Sequence, residues 1–182
     1  MRLVRRSVLV LVGAAAIQPV TAAYAYQGYR AYAEKLLSHL PRGAVFRRDL
    51  ERVLDQLAVD ARRAAGSRPL VPNDLLRNMA RAQAVEMLIG NFVGHTSASG
   101  YSYHDRFEAF ADPYVNGDHG ENAARDRQNG PVDAAKAKRL FQQWLDSRGH
   151  RHNLMNPIYH FVASGTVARG RHLYAVQEFW ER

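Results

Sequence analysis

Residues 144–157 of the chain read WLDSRGHRHNLMNP, a pattern that ends a helix and continues into a polar stretch carrying His150. Upstream, apolar residues recur at the i, i+3, i+4, i+7 spacing of a helix with one buried face: Ala137, Leu140, Phe141, Trp144 and Leu145. Asp146 and Ser147 favour caps and turns, and Gly149 can adopt the positive φ of a chain reversal. We therefore expect His150 at a fixed corner behind a helix anchored by Trp144.

Two other polar stretches have the composition of a site. His95 lies in GHTSASG (94–100), and Glu121 lies in HGENAA (119–124). We expect these two residues, like His150, on irregular segments. Two imidazoles and one carboxylate form a ligand set that zinc accepts, with a fourth position left for water. The alternative is that each histidine is a hydrogen-bonded structural residue, since sequence spacing does not show that the three side chains meet.

Helical patterns precede these stretches, and strand patterns follow them. Helices are predicted from Asp49 to Gly66, from a cap at Asn73 or Asp74 to Gly90, within residues 101–110, and after a cap at Asp133. The apolar runs Phe161–Ala168 and Leu173–Trp180 flank a turn at Gly170 and predict a hairpin. Early helices and late strands, without β-α-β alternation, favour an α+β domain whose antiparallel sheet is covered by helices.

The last predicted strand alternates between two faces. One face carries Tyr174, Val176, Glu178 and Trp180, and the other carries Leu173, Ala175, Gln177 and Phe179. We interpret Tyr174 and Trp180 as packing residues.

The N-terminus has the pattern of an export signal. Arginines in residues 1–6 precede an apolar run, Val8–Ile17, and the small-x-small triplet 23–25. We predict a signal peptide at residues 1–25, cut before Tyr26, by the Sec or the twin-arginine route. The alternatives are an uncleaved anchor and a buried helix, but Gln18 and Pro19 interrupt the run before the roughly 20 apolar residues of a span. The mature protein is then secreted or periplasmic and has no membrane span.

Residues 26–48 are predicted as a lead-in segment, either a short helix lying on the domain or a loosely held stretch, and residues 49–182 as the domain itself. The chain has no cysteine, which excludes disulfides, a lipobox anchor and a thiol nucleophile. Its net charge of +8 suits an anionic lipid or a cell-envelope polymer. The charges are scattered, without a nucleic-acid motif, so nucleic acid is not expected as a partner and a solvated basic surface is the simpler interpretation.

Several catalytic patterns are absent from the sequence. There is no HExxH pair, no G-x-S-x-G elbow and no glycine-rich phosphate loop. The triplet from His119 to Glu121 has the H-x-E form of zinc deaminases, but that chemistry requires cysteine ligands.

Four spaced motifs, taken together, resemble the bacterial branch of the CAP superfamily of SCP-like extracellular domains. The motifs are GHTSASG at 94–100, GENA at 120–123, W-x-x-S-x-G-H-R-x-N-L-M-N-P at 144–157 and Y-x-V-Q-x-F at 174–179. The resemblance covers Leu50 to Phe179. It implies a three-layer α-β-α sandwich with a central antiparallel sheet and a cleft with a His/Glu tetrad.

Carried over residue by residue, the resemblance makes His95 and His150 the cleft histidines and Glu121 the first glutamate. The position of the second glutamate is occupied by Ser147, so the tetrad is incomplete. Ser147, Asn122 and Asn153 are expected to line the cleft. The family has been linked to zinc binding, to sterol or lipid binding and to proteolysis, without one shared reaction.

Three functional hypotheses follow. In the first, the protein is an exported binding module of the bacterial envelope or secretome. It holds zinc or another divalent metal through His95 and His150, with Glu121 as a ligand or as the group that orients a water, and it meets an anionic lipid, a sterol-like ligand or an envelope polymer. In the second, it is a metal-dependent, peptidase-like hydrolase with Glu121 as general base. In the third, His95, Glu121 and His150 form a structural clasp, in which they only hydrogen-bond and hold their segments together, and lipid binding occurs elsewhere. Whether the protein is an enzyme stays open at this point.

Overall fold

A computed structural model of the protein describes residues 18–111 and 117–181. The elements of these residues, in chain order, are α1 (Gln18–Ser38), β1 (Ala44–Phe46), α2 (Arg48–Ala64), β2 (Val71–Pro72), α3 (Asp74–Gly90), α4 (Tyr103–Phe110), β3 (His119–Asp126), α5 (Ala134–Asp146), α6 (Arg148–Met155), β4 (Phe161–Arg169) and β5 (His172–Trp180). The predicted α+β class and the α-β-α sandwich are confirmed.

The predicted C-terminal hairpin forms the centre of the sheet. β4 and β5 pair antiparallel from Phe161 opposite Trp180 to Arg169 opposite His172, and Gly170 turns the chain with a φ of 58°. The strand order is β1-β4-β5-β3, with β1 and β3 antiparallel to their neighbours. The short strand β2 pairs parallel to β4, beside β1 on the same outer edge.

The two faces of the sheet are covered by different helices, as the alternation in β5 predicts. Leu173, Ala175 and Phe179 pack in one buried cluster with Trp144 of α5 and with residues of α2 and α6. Tyr174, Val176 and Trp180 pack in clusters that contain residues of α3, and Trp180 also meets α1 and α4. Trp144 has no exposed surface, so its predicted role as an anchor of the core is confirmed.

The predicted helix caps are also present. Asn73 accepts hydrogen bonds from the backbone N–H groups of Leu75 and Leu76 at 3.0 and 3.3 Å, and Asp133 accepts one from Lys136 at 3.0 Å. α3 ends where Asn91 takes a left-handed conformation with a φ of 54°. These local signals fix where the helices begin and end.

Gly165 sets the distance between α3 and the sheet. A Cβ atom built on Gly165 would lie 2.2 Å from the backbone nitrogen of Arg81 and 2.4 Å from the carbonyl carbon of Ala80. Only a residue without a side chain therefore lets α3 lie this close to β4.

Side chains from α2 and α3 complete the outer edge of β4 between β1 and β2. Asp55 accepts a hydrogen bond from the backbone N–H of Ser164 at 2.7 Å, and Glu51 accepts one from Thr166 at 3.2 Å. Arg77 donates to the carbonyl oxygen of Ser164 at 3.2 Å. Backbone groups that neither short strand reaches are thus satisfied by helix side chains.

The first part of the lead-in segment is helical, as one of its two predicted alternatives states, since α1 runs to Ser38. Residues Ala44–Phe46 of the same segment form β1 and belong to the sheet. Tyr29 and Ala33 of α1 are buried against residues of α3 and α4. The cleavage before Tyr26 stays a prediction, and the apolar run Val8–Ile17 lies outside the described residues. None of the helices in the described ranges combines the length and the hydrophobicity required to cross a membrane.

Three local predictions are wrong. Glu121 lies on β3, and His150 lies in the first turn of α6, so neither is on an irregular segment. Gly149 is helical and does not have a positive φ, because the chain leaves α5 through Ser147 and starts a new helix directly. β1 and β2 were not predicted, since three and two residues carry too little pattern to be recognised.

Candidate functional site

Glu121 is the centre of the candidate site. It is 4% exposed, near the start of the edge strand β3. Its Oε1 atom lies 2.8 Å from Nδ1 of His95, and its Oε2 atom accepts a hydrogen bond from Arg106. Burial alone would raise the pKa of Glu121, but the charge of Arg106 and the hydrogen bond from His95 outweigh it and hold the pKa below its ordinary value. Glu121 is therefore an ionised carboxylate with both oxygens engaged.

Arg106 connects this carboxylate to the loop that carries His95. It is fully buried on α4, which begins at a capping box formed by Ser102 and Asp105. Its Nη1 atom donates to the carbonyl oxygens of His95 and Tyr101, both at 3.0 Å. A buried guanidinium needs an opposite charge, and Glu121 supplies it. Arg106 has no recognisable signal in the sequence, because its burial depends on how α4 packs against β3.

A second buried carboxyl group lies directly opposite Glu121. The β3–β5 register pairs Glu121 with Glu178, which has no exposed surface. Burial raises the pKa of Glu178 well above its ordinary value, and the neighbouring charge of Glu121 raises it further. Because two ionised carboxylates side by side in the interior would repel each other, Glu178 is the partner that keeps its proton. The strand pattern predicts the face of β5 on which Glu178 lies, but it does not indicate that Glu178 belongs to the site.

Of the three residues expected on irregular segments, His95 is the one that does lie on a loop. The side-chain amide of Gln83 donates to the carbonyl oxygen of Gly94 at 2.8 Å, and Glu86 accepts hydrogen bonds from the backbone N–H and the hydroxyl of Ser99. The loop is thus fixed from α3, while 49% of the His95 side chain stays exposed. The hydrogen bond to Glu121 raises the pKa of His95, and burial opposes it.

Two asparagines connect α6 to β3. Asn122 donates to the carbonyl oxygen of His150 at 3.0 Å. Asn153 donates to the carbonyl oxygen of Glu121 and to the side chain of Asn122, both at 3.1 Å. This bridge brings the ring of His150 to 6.3 Å from the ring of His95, measured between centroids. Burial lowers the pKa of His150, and the charge of His95 lowers it further, so the imidazole is neutral at pH 7 and Nδ1 has no partner within the described ranges.

The cleft beside these groups has a volume of about 210 Å³. Its walls contain His95, Glu121 and Asn153 together with residues that were not predicted: Tyr103, His119, Gly120 and Tyr159. Of the other residues expected to line it, Asn122 is fully buried behind Asn153, and Ser147 is the residue that precedes α6. Neither belongs to the cleft walls, and the predicted metal ligand His150 does not belong to them either.

His119 is held on one side of the cleft by aromatic contacts. Its ring stacks on Phe107 with centroids 4.2 Å apart, and its Nε2 atom lies 3.2 Å from Nδ1 of His104. Burial lowers the pKa of His119. In the sequence, His119 is distinguished only as the first residue of an H-x-E triplet.

The side chains available to bind a metal ion at this site are the two imidazoles of His95 and His150. Glu121 has no free oxygen, and across residues 18–111 and 117–181 no group of three or more His, Cys, Asp or Glu side chains is arranged to hold a metal ion. His95 uses Nδ1 for Glu121, which leaves Nε2 for a ligand. The residues fit a divalent ion bound by two histidines and completed by other donors. They do not fit a closed site or a three-ligand catalytic zinc site.

The chain has an α-β-α sandwich with a buried Glu121 between two histidines, and this combination is typical of one family of extracellular domains. A family model described as "CAP: Cysteine-rich secretory protein family" matches residues 57–179, and the chain belongs to this family although it contains no cysteine. The resemblance found in the four sequence motifs is thereby confirmed.

Individual relatives are bacterial. The chain is 31% identical to the uncharacterized protein YkwD of Bacillus subtilis (strain 168) over 120 residues, which are 66% of this chain and 43% of YkwD. The chain thus spans less than half of that relative.

Solved structures of two further bacterial proteins share the fold. An outer surface protein of Borrelia burgdorferi is similar with a TM-score of 0.65 and 18% identity, covering 76% of this chain and 97% of the Borrelia chain. An extracellular protein of Bacillus anthracis that contains an SCP domain is similar with a TM-score of 0.60 and 23% identity, covering 74% of this chain and 41% of that one. At these identities the likeness shows the fold alone.

Proposed function

We propose that the protein is an exported binding domain that holds a divalent metal ion, zinc or a similar one, between His95 in the cleft wall and the neighbouring His150. The observation that carries the proposal is the hydrogen bond between Glu121 and Nδ1 of His95. A histidine that binds a metal commonly donates its other ring N–H to a carboxylate, which fixes the tautomer and directs the free nitrogen. Export is supported by the signal-like residues 1–25 and by the family of the chain.

In this proposal Glu121 orients His95 and does not bind the metal. Its low pKa and its ion pair with Arg106 also make it a poor general base, which weighs against the hydrolase hypothesis. Two histidines hold a divalent ion weakly, so the remaining positions are open to donors of a bound ligand. The metal would supply a Lewis-acidic contact for such a ligand, an oxygen-rich group of an envelope molecule.

A zinc titration by calorimetry on the purified protein, at pH 7.5 and 5.5, tests the proposal. His95→Ala and His150→Ala should each abolish binding, and the wild type should bind more weakly at pH 5.5, where imidazoles protonate. Glu121→Gln should weaken binding by roughly 10-fold to 100-fold, as expected for an orienting partner.

The structural-clasp hypothesis predicts a different pattern. No heat of binding in the wild type, together with a lower free energy of unfolding for His95→Ala, would reject the metal site. His119→Ala is the matched control, because it removes an imidazole from the same cleft but not a proposed ligand, and its zinc affinity should equal that of the wild type.

A further inference from the structure

A second polar pocket lies at the opposite edge of the sheet from β3, between α2 and α3 beside the outer edge of β4. Its volume is about 490 Å³, and charged residues dominate its walls: Arg48, Arg52, Arg77, Arg81, Glu51 and Asp74. None of these residues contributes to the histidine cleft. The pocket also borders the first turns of α2 and α3, where the helix dipole favours negative charge.

The two inner arginines are held in fixed positions. Arg81 makes a two-pronged contact with Glu51, at 2.8 Å from Nε and 2.5 Å from Nη2, and its guanidinium carbon lies 5.5 Å from the ring centroid of Phe46. Arg77 donates from Nη1 to Asp55 at 2.9 Å. Nη1 of Arg81 and Nη2 of Arg77 have no acceptor in the described part of the chain. Preorganised donors of this kind lose little entropy when a ligand binds.

The two outer arginines supply charge that is not neutralised. Arg48 and Arg52 are exposed on the first two turns of α2, and neither forms an ion pair or a side-chain hydrogen bond with any residue in 18–111 or 117–181. Among the acids, Glu51 is committed to Arg81, and Asp74 is 99% exposed and bonds Arg77 at 3.3 Å. The pocket therefore keeps a positive surplus at pH 7.

We propose that this pocket binds a phosphate group, with Arg48 and Arg52 closing over a ligand that also contacts Arg77 and Arg81. Guanidinium groups donate two parallel hydrogen bonds to phosphate oxygens, and several arginines around one volume suit a group with three or more acceptor oxygens. The space is larger than one phosphate, which leaves room for the group that carries it. Two sources share this chemistry, a free phosphate compound and the headgroup of an anionic lipid.

Calorimetric titration of the full chain with inorganic pyrophosphate tests the site. The double variant Arg48→Gln/Arg52→Gln should lose about tenfold or more in affinity, since hydrogen bonds to charged groups are lost. Both side chains are exposed and unpaired, so the circular dichroism of the variant should match the wild type. Asp74→Asn should bind more tightly than the wild type, because it removes a competing negative charge.

The matched control is Lys138→Gln/Arg148→Gln, which removes two exposed positive charges from α5 and α6. Its affinity for pyrophosphate should equal that of the wild type. Absence of pyrophosphate binding in the wild type, or an equal loss in both double variants, would overturn the proposal in favour of unspecific attraction to a basic surface.

Vesicle sedimentation distinguishes the two sources. If phosphatidylcholine vesicles sediment the protein only when they contain phosphatidylglycerol, and pyrophosphate releases it, the ligand is a headgroup. Pyrophosphate binding without vesicle binding identifies a free phosphate compound. His95→Ala should change neither result, so the phosphate site and the proposed metal site can fail independently.

Discussion

Replacing Glu178 by glutamine should stabilise the protein at neutral pH. Protonated Glu178 lies opposite ionised Glu121 with no exposed surface. An unfolded glutamate has a pKa of about 4.3 and is ionised at pH 7, so folding must take up a proton there. Glutamine has nearly the same shape and a neutral amide that can donate to Glu121, but it requires no proton.

The magnitude follows from the linkage between protonation and folding. Because the folded pKa of Glu178 is raised, its contribution to stability is fully present below the unfolded pKa and is lost as the pH rises toward the folded pKa. The loss is about 1.4 kcal/mol per pH unit above the unfolded pKa, or about 3 to 4 kcal/mol at pH 7 for a Glu178 that keeps its proton there. The second amide N–H of glutamine lacks a partner and costs about 1 to 2 kcal/mol. The expected net gain is about 2 kcal/mol at pH 7, equivalent to a Tm higher by about 4 to 8 °C, and close to zero at pH 5.

Urea unfolding followed by tryptophan fluorescence between pH 5 and 8 measures this difference. The free energy of unfolding of the variant minus that of the wild type should increase with pH across that window. Glu34→Gln is the control, since it makes the same substitution at a side chain that is 59% exposed and should shift stability by less than about 0.5 kcal/mol. A variant that is less stable than the wild type at every pH, with a flat difference curve, would refute a protonated Glu178.

Four further substitutions test other parts of the structure, each by denaturant unfolding. Arg106→Met should cost about 3 to 5 kcal/mol, because it leaves Glu121 buried without its counter-charge; a loss below about 1 kcal/mol would contradict the buried ion pair. Gly165→Ala should cost at least about 1 to 3 kcal/mol, since its Cβ would overlap the backbone of α3. Gly149→Ala should instead raise the free energy of unfolding by about 1 kcal/mol, because the residue is helical with open space around it. A lower free energy of unfolding would instead support the positive-φ turn predicted from the sequence. Trp144→Ala should cost about 3 to 5 kcal/mol by leaving a cavity in the core.

Local patterns predicted most of the fold. The hairpin, the two faces of β5 and the main helices follow from spacing, caps and turn residues, all of which act over a few neighbouring positions. β3 was missed because it is buried on both faces and carries polar residues that bond to other elements. It therefore lacks the alternation by which half-buried strands are recognised. α6 was missed because only Leu154 in it is buried.

The candidate site was predicted only where residue type is informative. His95, Glu121 and His150 do come together, and the family resemblance indicated all three. Arg106 and Glu178 have no local signal, because a buried arginine or glutamate looks like a surface residue until its surroundings are known. If β3 had been recognised as a strand, Glu178 could have been identified as a site residue, because the register of β3 and β5 places the two glutamates opposite each other.

The carboxylates of Asp55 and Glu51 shield part of the outer edge of β4 from pairing with another molecule. They accept hydrogen bonds from backbone N–H groups on the outer edge of β4. Without them, these N–H groups would be free to pair with a strand from another molecule. Burial raises the pKa of Asp55, although Arg77 opposes this, so acid removes its charge earlier than that of an ordinary aspartate. Solutions held at low pH should therefore form strand-paired oligomers from molecules that are still largely folded, whereas neutral solutions should not.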